Sequence, residues 1–283
     1  MLGNIALLVL SCAACQAFIL GRNQSHWDGL KVTWSINPLT MFQGVPRTIP
    51  EATSHGWVKM DTGTTCQNGP FLGERFWKDG DLGVILLFDV HGYIAGIQAG
   101  IEKNYSPNPN HFPFPPLVSH PMVAHGTRFY ITAYFVPTDK ICSTGRTETE
   151  FRTQGTGSGL WIQNGTNPLT DSRAIPMTIE AARVSRWTEG KCFATMGVHF
   201  WYNIHKDMSC ENFYPMFLLY NGGVLNGFGW AFMMNIQSSK RLEHPGQNVY
   251  ASFMKEVPTC MNSMGTITTL HIYLTSSATA DNC

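Results

Sequence analysis

The chain has 283 residues, with 19 basic and 19 acidic side chains, a formal net charge of zero, and 43% hydrophobic and 12% aromatic residues. That composition excludes a disordered polymer, and the even charge excludes the electrostatic footprint of nucleic-acid or anionic-membrane binding. No stretch of about 18 uninterrupted apolar residues occurs, so no membrane span is expected.

Ile5 to Leu10 form a short apolar run, followed by small residues and by Cys15-Gln16-Ala17. The basic start of a typical leader is missing. The apolar run and the small-x-small site nevertheless read as a secretory signal peptide over 1–17, leaving a secreted, extracellular chain. Residues 18–36 are an N-terminal segment ahead of the first repeated unit.

Further along, Ile49 to Ser54 is a helix candidate weakened by Pro50. Val84 to Phe88, a turn at Asp89 to Gly92, and Tyr93 to Ile97 read as a buried hairpin. The five prolines between Ser106 and Pro116 mark a loop. Phe129 to Val136 is a β-branched and aromatic strand. Thr178 is a candidate N-cap for a helix over Ile179 to Arg186. Met216 to Tyr220, the turn Asn221-Gly222-Gly223, and Val224 to Trp230 form a second hairpin. Thr266 to Leu274 alternates as a half-buried strand does.

Many of these features come in pairs. Asn37-Pro38-Leu39-Thr40 returns as Asn167-Pro168-Leu169-Thr170, and Pro46, Thr48, Ile49 and Trp57 return as Pro176, Thr178, Ile179 and Trp187. Cys66 matches Cys192, Gly73 matches Gly197, Phe76-Trp77 match Phe200-Trp201, and Leu86 to Asp89 match Leu218 to Asn221. His120-Pro121 match His244-Pro245, Cys142 matches Cys260, and Leu160 and Ile162 match Leu270 and Ile272. The pattern implies an internal duplication. The expected fold is all-β and mainly antiparallel, with little helix: two tandem β-sandwich or jelly-roll-like units over 37–162 and 167–283.

Cleavage after Ala17 leaves Cys66, Cys142, Cys192, Cys210, Cys260 and Cys283, an even set that reads as three disulfide bonds. The repeat predicts bonds 66–142 and 192–260, with 210–283 by elimination. Asn23, Asn104 and Asn164 begin glycosylation sequons. Asn164, between the units, is the favoured one; a proline after Ser106 weakens Asn104.

Histidine is the common nitrogen ligand for zinc and copper. His199 and His205 are absent from the first unit, since Arg75 stands at the position matching His199. With His244 and nearby Asp207 they form a candidate metal set, and His120 and His125 flank a methionine in the first unit. The spacing matches no established zinc or copper signature, so no cofactor is the first expectation and copper or zinc the alternative. Gly-x-Ser-x-Gly, phosphate-loop, His-Glu-x-x-His and dinucleotide motifs are all absent, and Asp79-Gly80-Asp81 fails as a calcium loop because Val90 stands where the bidentate Glu belongs.

The sequence therefore favours a secreted, disulfide-stabilised, glycosylated, non-catalytic binding or structural protein whose partner is an extracellular protein, glycan or small molecule. The alternatives are a secreted metal-dependent, oxidative enzyme with histidine ligands near the interface of the units, and a tandem carbohydrate-binding module.

Overall fold

The structure, a computed structural model, describes residues 27–33, 42–60, 65–105 and 121–283. The leader, Asn23, the Asn37 to Thr40 motif and His120 lie outside these residues.

Seventeen strands account for most of the regular structure among the described residues. They are β1 (Lys31–Thr33), β2 (Phe42–Gly44), β3 (Val58–Lys59), β4 (Gln67–Asn68), β5 (Phe71–Leu72), β6 (Glu74–Trp77), β7 (Ile85–Phe88), β8 (Ile94–Glu102) and β9 (Met122–His125). Then come β10 (Arg128–Tyr134), β11 (Trp161–Gln163), β12 (Ser172–Ala174), β13 (Trp187–Phe193), β14 (Gly197–Tyr202), β15 (Met216–Asn221), β16 (Val224–Phe232) and β17 (Thr268–Tyr273). Every named strand pairing is antiparallel. The all-β expectation holds.

One sheet runs β3-β6-β7-β8-β10-β11-β12, with β9 also on β10; the other runs β13-β14-β15-β16-β17-β1-β2. The two orders correspond strand for strand, and so does the register. Arg75 faces Leu87 as His199 faces Leu219. Gln98 faces Thr132 as Gly229 faces His271. Ala133 faces Ile162 as Ile272 faces Val32. Even the bulges match, at Leu87/Phe88 and at Leu219/Tyr220.

The first sheet is continuous in sequence. The second is closed by β1 and β2 from the opposite end of the chain, so the 18–36 segment supplies a strand to the later half. Ile162 thus holds the place of Val32, and Ile272 that of Ala133. Two short helices introduce the sheets: α1 (Ile49–Ser54) and, later, a matching one over Ile179–Arg183. Thr48 and Thr178 cap them by accepting from the Glu51 and Ala181 amides. Ile49 and Ile179 each donate to a hairpin-turn carbonyl, of Gly92 and Gly223, at 2.9 Å. Pro50 is harmless because the first helical turn needs no amide from it. Between them lie α2 (Thr138–Ile141) and α3 (Glu148–Gln154), which periodicity did not announce; Thr147 and Glu150 form a capping box for α3. The Ile179–Arg183 helix, α4, stops three residues before the predicted Arg186, where Trp187 begins β13.

The inner faces of the two sheets share a single core. Strand alternation sends Leu86, Phe88 and Ile97 inward from one side and Phe200, Leu218 and Phe228 inward from the other. Phe135 and Phe228 meet across the interface at 6.2 Å. Trp27 is fully buried there and donates its indole N–H to the Leu225 carbonyl at 2.8 Å.

The six cysteines among the described residues are all bonded, as Cys66–Cys142, Cys192–Cys283 and Cys210–Cys260, with Cα separations of 5.4, 6.1 and 5.7 Å. The predicted 66–142 bond is present, whereas 192–260 and 210–283 are replaced. The cause is topological. Cys142 follows β10, and the strand at that place in the second sheet is β17, so its counterpart is Cys283 and not Cys260. Val136-Pro137-Thr138 and Val257-Pro258-Thr259 are alike in sequence only: each proline precedes a short helical turn, but one lies after β10 and the other before β17.

Candidate ligand-binding site

The outer face of the second sheet carries its own apolar layer. Alternation along β14, β15 and β17 turns His199, Trp201, Phe217, Leu219, His271 and Tyr273 away from the shared core. The chain between β14 and β15, and the longer stretch between β16 and β17, fold over this face and are tied together by Cys210–Cys260. The second stretch contains α5 (Tyr250–Phe253). Its underside is pinned to the sheet: the Trp201 indole donates to the Phe253 carbonyl at 3.3 Å, and Lys191 donates to the Ala251 carbonyl at 2.8 Å.

Beneath α5 lies a small cavity of about 20 Å³, walled by Trp201, Phe217, Tyr250 and Phe253 and floored by His199, His271 and Glu243. The two imidazoles lie 6.0 Å apart edge to face, and His199 stacks on Phe217 at 5.5 Å. His271 Nδ1 is 3.0 Å from Glu243 Oε2, which also accepts from the Thr269 hydroxyl at 3.0 Å. Glu243 reaches this place because its backbone pairs with Thr269 through two hydrogen bonds, of 2.8 and 2.9 Å. In the first sheet β9 pairs with β10 at the same place, and the residue matching Glu243 is the buried Val123. A carboxylate therefore stands where the fold otherwise accepts an apolar side chain.

The polar groups here are buried but incompletely satisfied. His199 is 1% exposed and Glu243 4% exposed. The His199 ring nitrogens lie beside the Lys191 and Gly197 backbone without reaching full hydrogen-bonding geometry, and Glu243 Oε1 has no partner. Burial, reinforced by the neighbouring His271, pushes His199 down to about 3, while the backbone of Lys191 and Gly197 opposes this only in part. The ring is neutral at physiological pH. An unmet buried polar group costs on the order of 1–3 kcal/mol, so Glu243 Oε1 is the group here that packing leaves unexplained.

The matching face of the first sheet shows the contrast. There Arg75 stands at the His199 position, Gln98 at Gly229 and Thr132 at His271. Gln98 donates to Thr132 at 2.7 Å, Arg75 donates to Gln98 at 3.5 Å, and the guanidinium lies over Phe71 and Tyr130 at 5.0 and 5.3 Å. Long side chains there fill the space and satisfy one another. In the second sheet glycine replaces Gln98, and Phe217 lies across it: a Cβ on Gly229 would come within 2.1 Å of that ring.

The other predicted ligands do not join His199. β14 ends at Tyr202, and Asn203, at φ 50°, turns the chain so that His205 and Asp207 are exposed on a loop. His244 is adjacent to Glu243 but faces the other way, its Nε2 2.7 Å from the Ile236 carbonyl. His125 ends β9 edge-on to Phe71 at 5.8 Å. Among the described residues no group of three or more His, Cys, Asp or Glu side chains is disposed to hold a metal ion. Asn104 is exposed and Asn164 half-buried. Sequence reasoning missed Glu243, Tyr250 and Phe253; the one available signal was a lone acidic residue before His244-Pro245.

Compared with family models, with characterised proteins and with solved structures, the chain matches none.

Proposed function

We propose that the chain is a secreted, glycosylated binding protein, descended from a duplicated β unit, whose ligand occupies the outer-face cavity of the second sheet. Three disulfide bonds suit an oxidising extracellular setting and support this reading. The observation that carries it is the pair His199 and Glu243, buried in the lining of an aromatic-walled cavity with Glu243 Oε1 unpaired, where the matching residues of the first sheet are paired or apolar. Small-molecule sites are commonly built this way, mostly apolar with a few convergent polar groups.

The test is a small-molecule screen on the mature, disulfide-bonded chain, read by Trp201 fluorescence and by melting temperature. A hit whose effect disappears in a His199→Phe, Glu243→Gln double variant supports the reading; hits indifferent to that variant would move the site elsewhere. Elemental analysis of natively purified protein addresses the metal-dependent alternative, since stoichiometric copper or zinc lost on His199→Phe would replace the present reading. N-terminal sequencing that begins at Phe18, and a mass shift on deglycosylation, test export and modification.

A further inference from the structure

We propose that the Cys192–Cys283 bond is a reducible clasp that holds α5 over the outer-face cavity, so that a thiol reductant controls access to it. The control of access rests on the reading of this cavity as a ligand site; the reducibility of the bond and its hold on α5 do not. Three sets of observations converge.

The first is exposure. Cys192 and Cys283 are both exposed, whereas Cys66 and Cys210 are buried and their partners half-buried. An attacking thiolate must reach a sulfur, so this bond is the one open to a dithiol reductant. One thiolate of the reductant attacks the Sγ of either cysteine, forming a mixed disulfide and releasing the other cysteine as a thiolate. The reductant's second thiol then displaces the first cysteine. Two electrons pass to the protein, the bond becomes two thiols, and the dithiol leaves as a disulfide.

The second is what the bond holds. β13 is the outermost strand of its sheet, and its ladder to β14 shifts register between Glu189 and Cys192, leaving only the pairs of Cys192 and Phe193 beyond the shift. The other end of the bond has anchors of its own: the Cys283 amide donates to Asn221 Oδ1 at 2.7 Å, and Asn226 donates to Asp281 at 3.4 Å. Reduction therefore frees the end of β13. In the turn that follows, Thr195 is held at φ 72°, a left-handed conformation that a β-branched residue keeps only under constraint. Its neighbour Met196 lines the cavity, so the turn carries a piece of the wall with it when it relaxes.

The third is how β13 holds α5. Lys191 donates to the Ala251 carbonyl at 2.8 Å, and the Phe193 ring lies 5.0 Å from that of Phe253. Gly190 passes so close that a Cβ on it would come within 2.3 Å of the Phe253 carbonyl oxygen. These residues flank Cys192, so the stretch that the bond fixes is the stretch that pins α5. Cys210–Cys260 stays closed and keeps the rest of the layer on the sheet.

The experiment treats the mature, oxidised chain with graded dithiothreitol, blocks free thiols with iodoacetamide and maps the labelled peptides. Cys192 and Cys283 are expected to be labelled at least roughly tenfold faster than the other cysteines. In the chain opened at that bond, deuterium exchange of the Met254 amide, which donates to the Tyr250 carbonyl across α5, should speed up by at least roughly tenfold, with β15 and β17 unchanged. Met196 and Met254, each 2% exposed, report access: dilute hydrogen peroxide should oxidise them roughly tenfold faster. A Cys192→Ser, Cys283→Ser double variant should behave in the same way without reductant. Earlier opening of Cys66–Cys142 or Cys210–Cys260, or unchanged exchange at Met254 and unchanged methionine oxidation, would overturn the proposal. Equal acceleration in β15 and β17 would also overturn it, since the bond would then be a general staple. Should the double variant not fold, the reduced native chain decides alone. If α5 loosens as expected but the small-molecule screen finds no ligand for either form, the ligand-site reading falls and the clasp stands.

Discussion

Asp89 and Asn221 occupy the same point of the two matching hairpins, and each holds the chain that returns after its own sheet's last long strand. Asp89 Oδ2 accepts the Arg146 amide at 3.1 Å, and Asn221 Oδ1 accepts the Cys283 amide at 2.7 Å. The difference between them is the guanidinium. In the first half Arg146, wholly buried, sits 3.6 Å from Asp89 and donates to the carbonyls of Gly155 and Ile94; residues 274–283, which follow β17, include no Lys or Arg.

Asp89→Asn should therefore be far more damaging than its isosteric change suggests. It strands a buried guanidinium without its counter-charge, at an expected cost of about 3–5 kcal/mol. The reverse change, Asn221→Asp, strands no buried cation and should cost less. Chemical denaturation of the two variants checks this, and similar midpoints would refute it.

Trp27→Ala should cost about 3–5 kcal/mol although the residue lies outside the two stretches of matching sequence. Its ring fills the shared core and its indole N–H is bonded to Leu225. A chain starting at Pro46 should not fold at all, because losing β1 and β2 bares the edge of β17. Soluble expression with a cooperative melt would contradict this.

The pH dependence of stability should contain two opposed contributions. His199 is held near 3 against an ordinary 6.5, so below about pH 6.5 the unfolded chain takes up a proton that the folded chain refuses. Its contribution is lost as pH falls, by up to about 1.4 kcal/mol per pH unit. Burial raises Asp281 from 3.8 to about 6, eased by the hydrogen bond from Asn226, so the folded chain binds that proton first. Its contribution grows as pH falls from about 6 to about 4. His199→Phe should leave a protein that gains stability on mild acidification, and Asp281→Asn one that loses it more steeply than the native chain. Melting curves of both variants parallel to the native one would dismiss the assignment.

Peptide mapping without reduction should recover Cys66–Cys142, Cys192–Cys283 and Cys210–Cys260. Replacing Cys210 and Cys260 together by alanine should cost about 2–4 kcal/mol while leaving the shared core assembled, because this bond ties only the layer over the outer face. A recovered 192–260 peptide would mean that the C-terminal end lies elsewhere.

Local signals carried much of the fold. The hairpins at Asp89 and Asn221 were legible because strand alternation and turn residues act within a few positions, and Thr178 announced its helix for the same reason. The site was only half legible. His199 stood out because Arg75 matches it, but Glu243 is a single acidic residue in irregular chain, and its partners Thr269 and His271 lie 26 and 28 residues away.

From the sequence alone, then, come the all-β class, the paired hairpins, the even cysteine set and the first disulfide bond, since each depends on short-range periodicity or on counting. Tertiary structure alone decides that β1 and β2 close the far sheet, that Cys192 meets Cys283, and that His199, His271 and Glu243 line one buried cavity. These depend on which strands become neighbours, and that choice is made by burial of two sheet faces against each other, a long-range condition that no local pattern records.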